Sequence, residues 1–457
     1  MTITKASSHD ERTIIKDELT QKINSALETD NTQELREIVS STHYADLADY
    51  INFANHEQRE KIIKTTGKQL NPEILLEFEI DVLRSLKSIF GTKNFALLIN
   101  NIDIQDSIPL IDDFNDEEKA EILSYFSIAK RNSILKGLSY PKDSVGTLMQ
   151  GIYVAVDGND TVGKVLDQLV GNKKLPESCD EIFIVDKKNK PIGSLHITKL
   201  IRSKATTKVK SIMSTEMQLI EASLDKEEAS YIFRHYDLTS APVINKQKQM
   251  VGVIYLDQII EVIEEEAEED IMKLGGINIT DLYSAFFKTA TRRFPWLFFN
   301  LLTACLTSVI ISKFKDQIEQ LVILAAIMPI VGSMGGNAGT QSVTVAVRAI
   351  ANKDITSSNI LQVVSKEIAA CALNGLILGL LGGTILFLLY NNLSVCGIFA
   401  LAVTINFILA GLWGGMIPII IDKMGLDPAI SSGVLLTFLT DFLGFFIFLA
   451  LASLLIL

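Results

Sequence analysis

Cysteine and histidine are scarce in this chain of 457 residues: four cysteines (Cys179, Cys305, Cys371, Cys396) and five histidines (His9, His43, His56, His196, His235). No cysteines form a CxxC pair and no histidines stand at metal-ligand spacing, which argues against a disulfide framework and a zinc site. The cysteines read as small apolar residues in a reducing compartment. No nucleophile–base pair is apparent, so a membrane enzyme is a weak reading. An apolar leader is missing too: MTITKASSHDERTIIKDELT has no hydrophobic core, and the soluble half is expected to stay on the side of synthesis. Charge is sparse at the other end, where residues 294–457 hold six Lys/Arg and seven Asp/Glu.

What is present divides the chain in two. Residues 1–293 carry 36 basic and 47 acidic residues, a net charge of −11 that disfavours nucleic acid and favours cations as partners. The C-terminal part offers five apolar runs near the roughly 20 residues a bilayer span needs, at about 295–312, 321–348, 368–390, 397–421 and 433–456. The second is long enough to tilt, or to break at Pro329 and its glycines. With the soluble half cytosolic, the inner flanks hold Lys288, Arg292, Arg293, Arg348, Lys353, Lys366 and Lys423, and the outer loops only Lys313 and Lys315. That asymmetry predicts the N-terminus inside and the C-terminus outside.

The soluble half subdivides further. Residues 1–10 read as a loose tail. Over 11–140, stretches such as HYADLADYINFANHEQREKIIK space apolar residues three and four apart, predicting a small helical superhelix or a plain helical spacer. From 141 to 260 the texture turns β-rich and repeats: EIFIVDKKNKPIGSLHITKLI (181–201) aligns without a gap, at an offset of 59, to SAPVINKQKQMVGVIYLDQII (240–260). TLMQGIYVAV (147–156) likewise matches SIMSTEMQLI (211–220). Two such αβ units bury their sheets together.

This repeat resembles a tandem pair of CBS domains, copies at 141–204 and 205–260. Nucleotide-binding CBS copies carry Ser/Thr three residues after the repeat glycine and Asp six after, the latter holding ribose. After Gly193 and Gly252 those positions hold His196 and Lys199, and Tyr255 and Gln258. With neither acceptor carboxylate kept, ATP binding is disfavoured, and packing or ion sensing is the better reading.

EVIEEEAEED (261–270) follows, with seven acidic residues in ten. Helical spacing sets Asp257, Glu261, Glu265 and Glu268 on neighbouring turns, where each like-charge pair costs about 0.2–0.5 kcal/mol. A solvated face is one explanation. Sensing of hard divalent cations through oxygen ligands is the other, favoured by the helix's position ahead of the first span.

Within the spans, Asp441 stands out, because a charge at the bilayer centre costs about 2.5–3.5 kcal/mol on insertion scales. Thr437, Thr440 and Gly444 share its side of the helix. In AIMPIVGSMGGNAGTQSV (326–343), Gly332, Gly335, Gly336 and Gly339 permit close helix approach, while Asn337 and Gln341 stack at i and i+4. Helix packing alone explains the glycines; the carboxamides facing an Asp suggest a pore wall.

PIVGSMGGNAGTQS and GLDPAISSGVLLTFLTDFLG resemble the glycine-rich and DPA/D-x-x-G signatures of the MgtE family of magnesium channels. The order of a helical N domain (11–140), CBS pair, acidic connecting helix (261–293) and five spans (294–457) also resembles that family. The resemblance implies a multidomain membrane protein: an all-α superhelical N-terminal domain, an α/β CBS pair and an α-helical five-span domain. It implies a homodimer in the plasma membrane with a pore between subunits, passing and sensing Mg2+. Asp441 then matches the pore aspartate, with Asn337 and Gly336 nearby and Asp427 near the pore mouth. Glu261, Glu266, Glu269 and Asp270 on the connecting helix, and Asp225, Glu227 and Asp237 in the second CBS copy, match the sensor positions; Asp103 and Asp106 are the candidates in the N domain. Two departures stand out: Gln258 replaces a carboxylate common at the start of the sensing helix, and Val434 a frequent proline. The expected function is a Mg2+-gated Mg2+ uptake channel. A cation-coupled divalent-metal transporter (Mg2+/Co2+) and a membrane-tethered CBS sensor are the alternatives.

Overall fold

The computed structural model describes residues 8–67, 69–78, 80–170, 179–277 and 286–455. The chain forms two compact units that meet in sequence at Glu264/Glu265.

Among the described residues the first unit opens with nine α-helices: α1 (Ser8–Glu28), α2 (Thr32–Ser41), α3 (Tyr44–Phe53), α4 (His56–Thr66), α5 (Ile80–Phe90), α6 (Thr92–Ile99), α7 (Ile104–Asp112), α8 (Asp116–Ser124) and α9 (Ile128–Gly137). Of the tail expected over 1–10, residues 1–7 lie outside the described residues, and 8–10 belong to α1. Their starts are written locally. Asn55 and Asn115 each accept from the N3 backbone while the N3 side chain (Gln58, Glu118) returns the bond, so α4 and α8 begin with capping boxes. Their apolar faces merge into one core around Ile51, Ile62, Leu86, Phe95 and Ile111.

The repeat follows. Its first copy comprises α10 (Val145–Leu148), β1 (Ala155–Asp157), α11 (Val162–Leu169), β2 (Glu181–Val185), β3 (Pro191–His196) and α12 (Ile197–Ile201); its second comprises β4 (Ile220–Glu221), α13 (Lys226–Tyr236), β5 (Ser240–Ile244) and β6 (Met250–Tyr255). Each sheet has a parallel pair followed by an antiparallel one. The offset of 59 survives as register: Glu181 pairs with His196 as Ser240 pairs with Tyr255, and both ladders slip at the same point, Ile184/Val185 and Val243/Ile244. Asn189 and Lys248 are likewise both left-handed, at φ 58° and 60°. Phe183, Met250, Val253 and Tyr255 join in one cluster.

α14 (Leu256–Leu274) grows directly out of β6, starting earlier and ending sooner than the connecting helix expected over 261–293. Gly276, left-handed at φ 74°, follows it, and 278–285 lie outside the described residues.

The second unit contains α15 (Phe286–Ser312), α16 (Lys315–Gln320), α17 (Ile323–Ala351), α18 (Ile360–Tyr390), α19 (Leu393–Lys423) and α20 (Pro428–Leu455). Five of these, α15 from Thr289 onward and α17 to α20, are long and apolar enough to cross a membrane. The break considered at Pro329 does not occur; α17 runs through it. Small residues set the spacing. A Cβ on Gly379 would stand 2.7 Å from the Ala400 carbonyl oxygen, and one on Gly339 2.8 Å from Leu436 Cδ2, so α18 packs on α19 and α17 on α20 at glycine contacts.

A candidate ion site in the membrane unit

α20 begins with Asp427, whose Oδ1 accepts from the Ala429 N–H at 2.8 Å, and with Pro428 at the first helical position. Proline there has no N–H to lose and its φ is already helical. Asp427 Oδ2 also lies 2.5 Å from Lys273 Nζ, which reaches Glu269 Oε1 at 2.5 Å as well. Burial disfavours the Lys273 charge, but the two carboxylates outweigh it and hold the ammonium above its ordinary range. Burial, then Asp427, push the neighbouring Asp270 carboxyl up. Three of the acids singled out in the sequence, Asp427, Glu269 and Asp270, are thus brought together around one lysine.

Further along α20, Asp441 lies against α17: a Cβ on Gly332 would be 3.1 Å from Asp441 Oδ1 and 2.6 Å from the Phe445 ring. Gly332 makes room for the carboxylate. One turn on, a Cβ at Gly336 would find Thr440 Oγ1 at 3.8 Å, so both named glycines lie on the face of α17 turned to α20. A cavity of about 500 Å3 opens here, lined among others by Asn300, Thr303 and Thr307 of α15, Thr340 of α17, and Thr437 and Asp441 of α20. Six waters at about 30 Å3 each occupy roughly 180 Å3, so a hydrated ion fits.

The hydroxyls determine what that ion would meet. Thr303 donates to Asn300 O at 2.8 Å, Thr307 to Thr303 O at 3.1 Å, Thr340 to Gly336 O and Thr437 to Gly433 O, both at 2.9 Å. Each hydroxyl proton is spent on the hydroxyl's own helix, which leaves oxygen lone pairs for the cavity. With Asp441 the lining is rich in acceptors, suited to the outward-pointing protons of water on a cation. Thr440, grouped with Asp441 in the sequence, is instead buried and bonded to Leu436 O and Thr437 O.

Asn337 and Gln341 do not line this cavity. They stand on the surface of the chain with Ser333, Thr340 and Thr344, at i, i+4, i+7, i+8 and i+11 of α17. That spacing makes a polar stripe along an otherwise apolar helix. The contributions of α15 are not among the residues singled out from the sequence, although Asn300, Thr303 and Thr307 stand at helical spacing on one face.

In the first unit, Asp106 is half-buried and its carboxyl is pushed up to about 6, first by burial and then by Asp103, Asp257 and Glu73. Asp103, Asp257 and Glu73 are thus near enough to act on the Asp106 charge, two of them distant from it in sequence. Asp225 caps α13, accepting from Glu227 N–H at 2.8 Å, and Asp237 ends it in the left-handed conformation, φ 51°. Glu261 and Glu266 lie on α14, exposed and half-buried respectively. Among the described residues no three His, Cys, Asp or Glu side chains are close enough together to hold a metal ion directly.

Comparison with known proteins adds independent findings. A family model described as a divalent cation transporter matches 328–451, the MgtE intracellular N domain matches 42–143, and the CBS domain matches 145–205 and 209–265. The chain is 29% identical over 458 residues to the magnesium transporter MgtE of Thermus thermophilus, covering 97% of this chain and 99% of that one. To the Bacillus subtilis magnesium transporter MgtE it is 29% identical over 383 residues, covering 83% and 84%. A solved cytosolic domain of the Mg2+ channel MgtE, in complex with ATP, superposes with a TM-score of 0.47 at 22% identity, over 53% of this chain and 99% of that domain.

Proposed function

The chain belongs to the MgtE family of divalent cation transporters, and from that premise we propose that it is a Mg2+-gated channel for Mg2+ uptake, acting as a homodimer in the plasma membrane. The observation that carries this reading is the pairing of the Asp441 carboxylate, in an acceptor-lined cavity of the membrane unit, with a polar stripe on the adjacent helix. Thr340 and Thr344 bond back to their own helix, but lipid cannot satisfy the carboxamides of Asn337 and Gln341. A water-filled path between two copies of α17 and α20 satisfies them and sets two Asp441 side chains about one passage.

The chemistry suits Mg2+, which gives up its water reluctantly and keeps several ligands aqueous. One carboxylate per subunit, acting through the hydration shell, attracts the ion and still releases it. An inward potential of 100 mV contributes about 2.3 kcal/mol per charge, hence roughly 4.6 kcal/mol for a divalent ion, enough to drive uptake without ATP. The N-terminus lies in the cytosol and the C-terminus outside, as the loop charges require.

Flux this favourable needs a brake. In our reading it is the acidic soluble surface: Asp103 and Asp106 with Asp257 and Glu73, Asp225, Glu227 and Asp237 on the second repeat, and Glu261, Glu266, Glu269 and Asp270 on α14. Mg2+ binding those groups more tightly in the closed arrangement shifts the population toward it, and loss of the ions restores repulsion and opens the path. Lys273 already pairs with Glu269 and Asp427, so a metal ion arriving there competes with a resident ammonium. ATP is disfavoured as a regulator on this chain's own residues. Gln258, at one of the ribose-binding positions, is engaged in accepting from the Tyr255 N–H at 3.1 Å.

Growth tests the reading. In a cell deficient in magnesium uptake, wild type rescues growth at low Mg2+ and Asp441→Ala does not; equal rescue removes the pore assignment. A cation-coupled transporter is the rival, separated by whether voltage-clamped current exceeds carrier turnover.

A further inference from the structure

Asn406 sits midway along α19 with no surface exposed. Its Nδ2 donates to the Val331 carbonyl of α17 at 2.9 Å, and among the described residues no donor reaches its Oδ1. The amide fills a slot cut by two glycines on different helices. A Cβ on Gly335 of α17 would stand 2.1 Å from Nδ2, and one on Gly444 of α20 2.5 Å from it. An unpartnered acceptor in a dry interior is unfavourable, and an aliphatic side chain would occupy the slot without that penalty. The amide therefore needs a reason for being there.

Its surroundings supply one. Val331 precedes Gly332, the residue that makes room for Asp441, and Gly444 lies one turn beyond Asp441 on α20. The Asn406 side chain is thus wedged behind the contact between the glycine face and the carboxylate, touching both helices that carry it. We propose that Asn406 is a positioning residue for permeation: by holding the Val331 carbonyl and filling the Gly335/Gly444 slot, it fixes the spacing of α17 and α20 at the depth of Asp441. It touches no ion and acts through Asp441, so the proposal rests on Asp441 lining the ion path.

The test uses the full-length protein reconstituted in liposomes, with wild type, Asn406→Leu and Asp441→Asn compared in parallel. Leucine keeps the volume and deletes the amide. The readouts are the Mg2+ concentration giving half-maximal flux and the Mg2+/Na+ reversal potential, neither of which depends on how much protein is inserted. Supporting groups behind a metal site are worth about 10-fold or more. Asn406→Leu is therefore expected to raise the half-saturating Mg2+ concentration about tenfold and to move the reversal potential toward that of Na+. Wild-type values in Asn406→Leu, with both altered in Asp441→Asn, overturn the positioning role and leave the pore reading standing. Unchanged values in Asp441→Asn overturn both. If Asn406→Leu does not fold, Gly444→Ala displaces the amide without deleting it: the same two shifts support the proposal, and wild-type values in that variant overturn it.

Discussion

Asp441 was legible from the sequence because a carboxylate inside an apolar run carries its own cost and so demands a use. Lys273 was not: its partner Asp427 is 154 residues away, and nothing in EEDIMKL marks the lysine as the centre of an acidic group. Asn406 was equally hidden, since a lone carboxamide gains meaning only from the glycines of two other helices. Asp106 is an intermediate case, a candidate by its charge whose raised carboxyl reflects burial first and then Asp103, Asp257 and Glu73. Its folded-state pKa of about 6 exceeds the ordinary 3.8, so the folded form binds the proton more tightly than the unfolded chain. Stability from this group is then greatest below about 4, falls as pH rises through 6, and stays lowered above. In chelator, Asp106→Asn is expected to raise the thermal midpoint of the soluble unit at pH 7.5, with the gain shrinking as pH falls from 6 toward 4. A gain independent of pH contradicts the assignment.

At the scale of elements, helix periodicity and the internal repeat were strong signals. The offset of 59 reappears as strand register, including the matched ladder slips. Span ends were less legible, because α17, α18 and α19 extend past their apolar runs into caps and polar turns that hydropathy does not register. Pro329 was ambiguous for a physical reason: proline removes one donor and crowds one carbonyl, which in a membrane helix can be compensated locally, and here the helix continues. The use of α17 follows from which face is polar. After replacement of the exposed native Cys305, single cysteines at 333, 337, 340, 341 and 344 are expected to react with a membrane-impermeant charged thiol reagent. Cysteines at Leu376 and Leu380, exposed apolar positions of α18, are expected to remain unmodified. Uniform reactivity, or protection of the polar stripe, removes the water-lined path.

For the whole molecule, the order of parts was readable because each has a distinct texture: helical and acidic, β-rich and repeated, then nearly free of charge. On the proposed reading the acidic first unit and the five-helix unit act together through ion occupancy, which a sequence does not encode as a pattern. The account joins them through one ion in two roles, cargo at Asp441 and brake on the carboxylates of the soluble surface. Patch-clamp recording of excised membrane, with Mg2+ as the only permeant cation outside, addresses both roles at once. The account predicts unitary inward currents when cytosolic Mg2+ is removed, silenced by millimolar-range cytosolic Mg2+ and absent in Asp441→Ala. Mg2+ currents of wild-type size in Asp441→Ala, or currents indifferent to cytosolic Mg2+, contradict it.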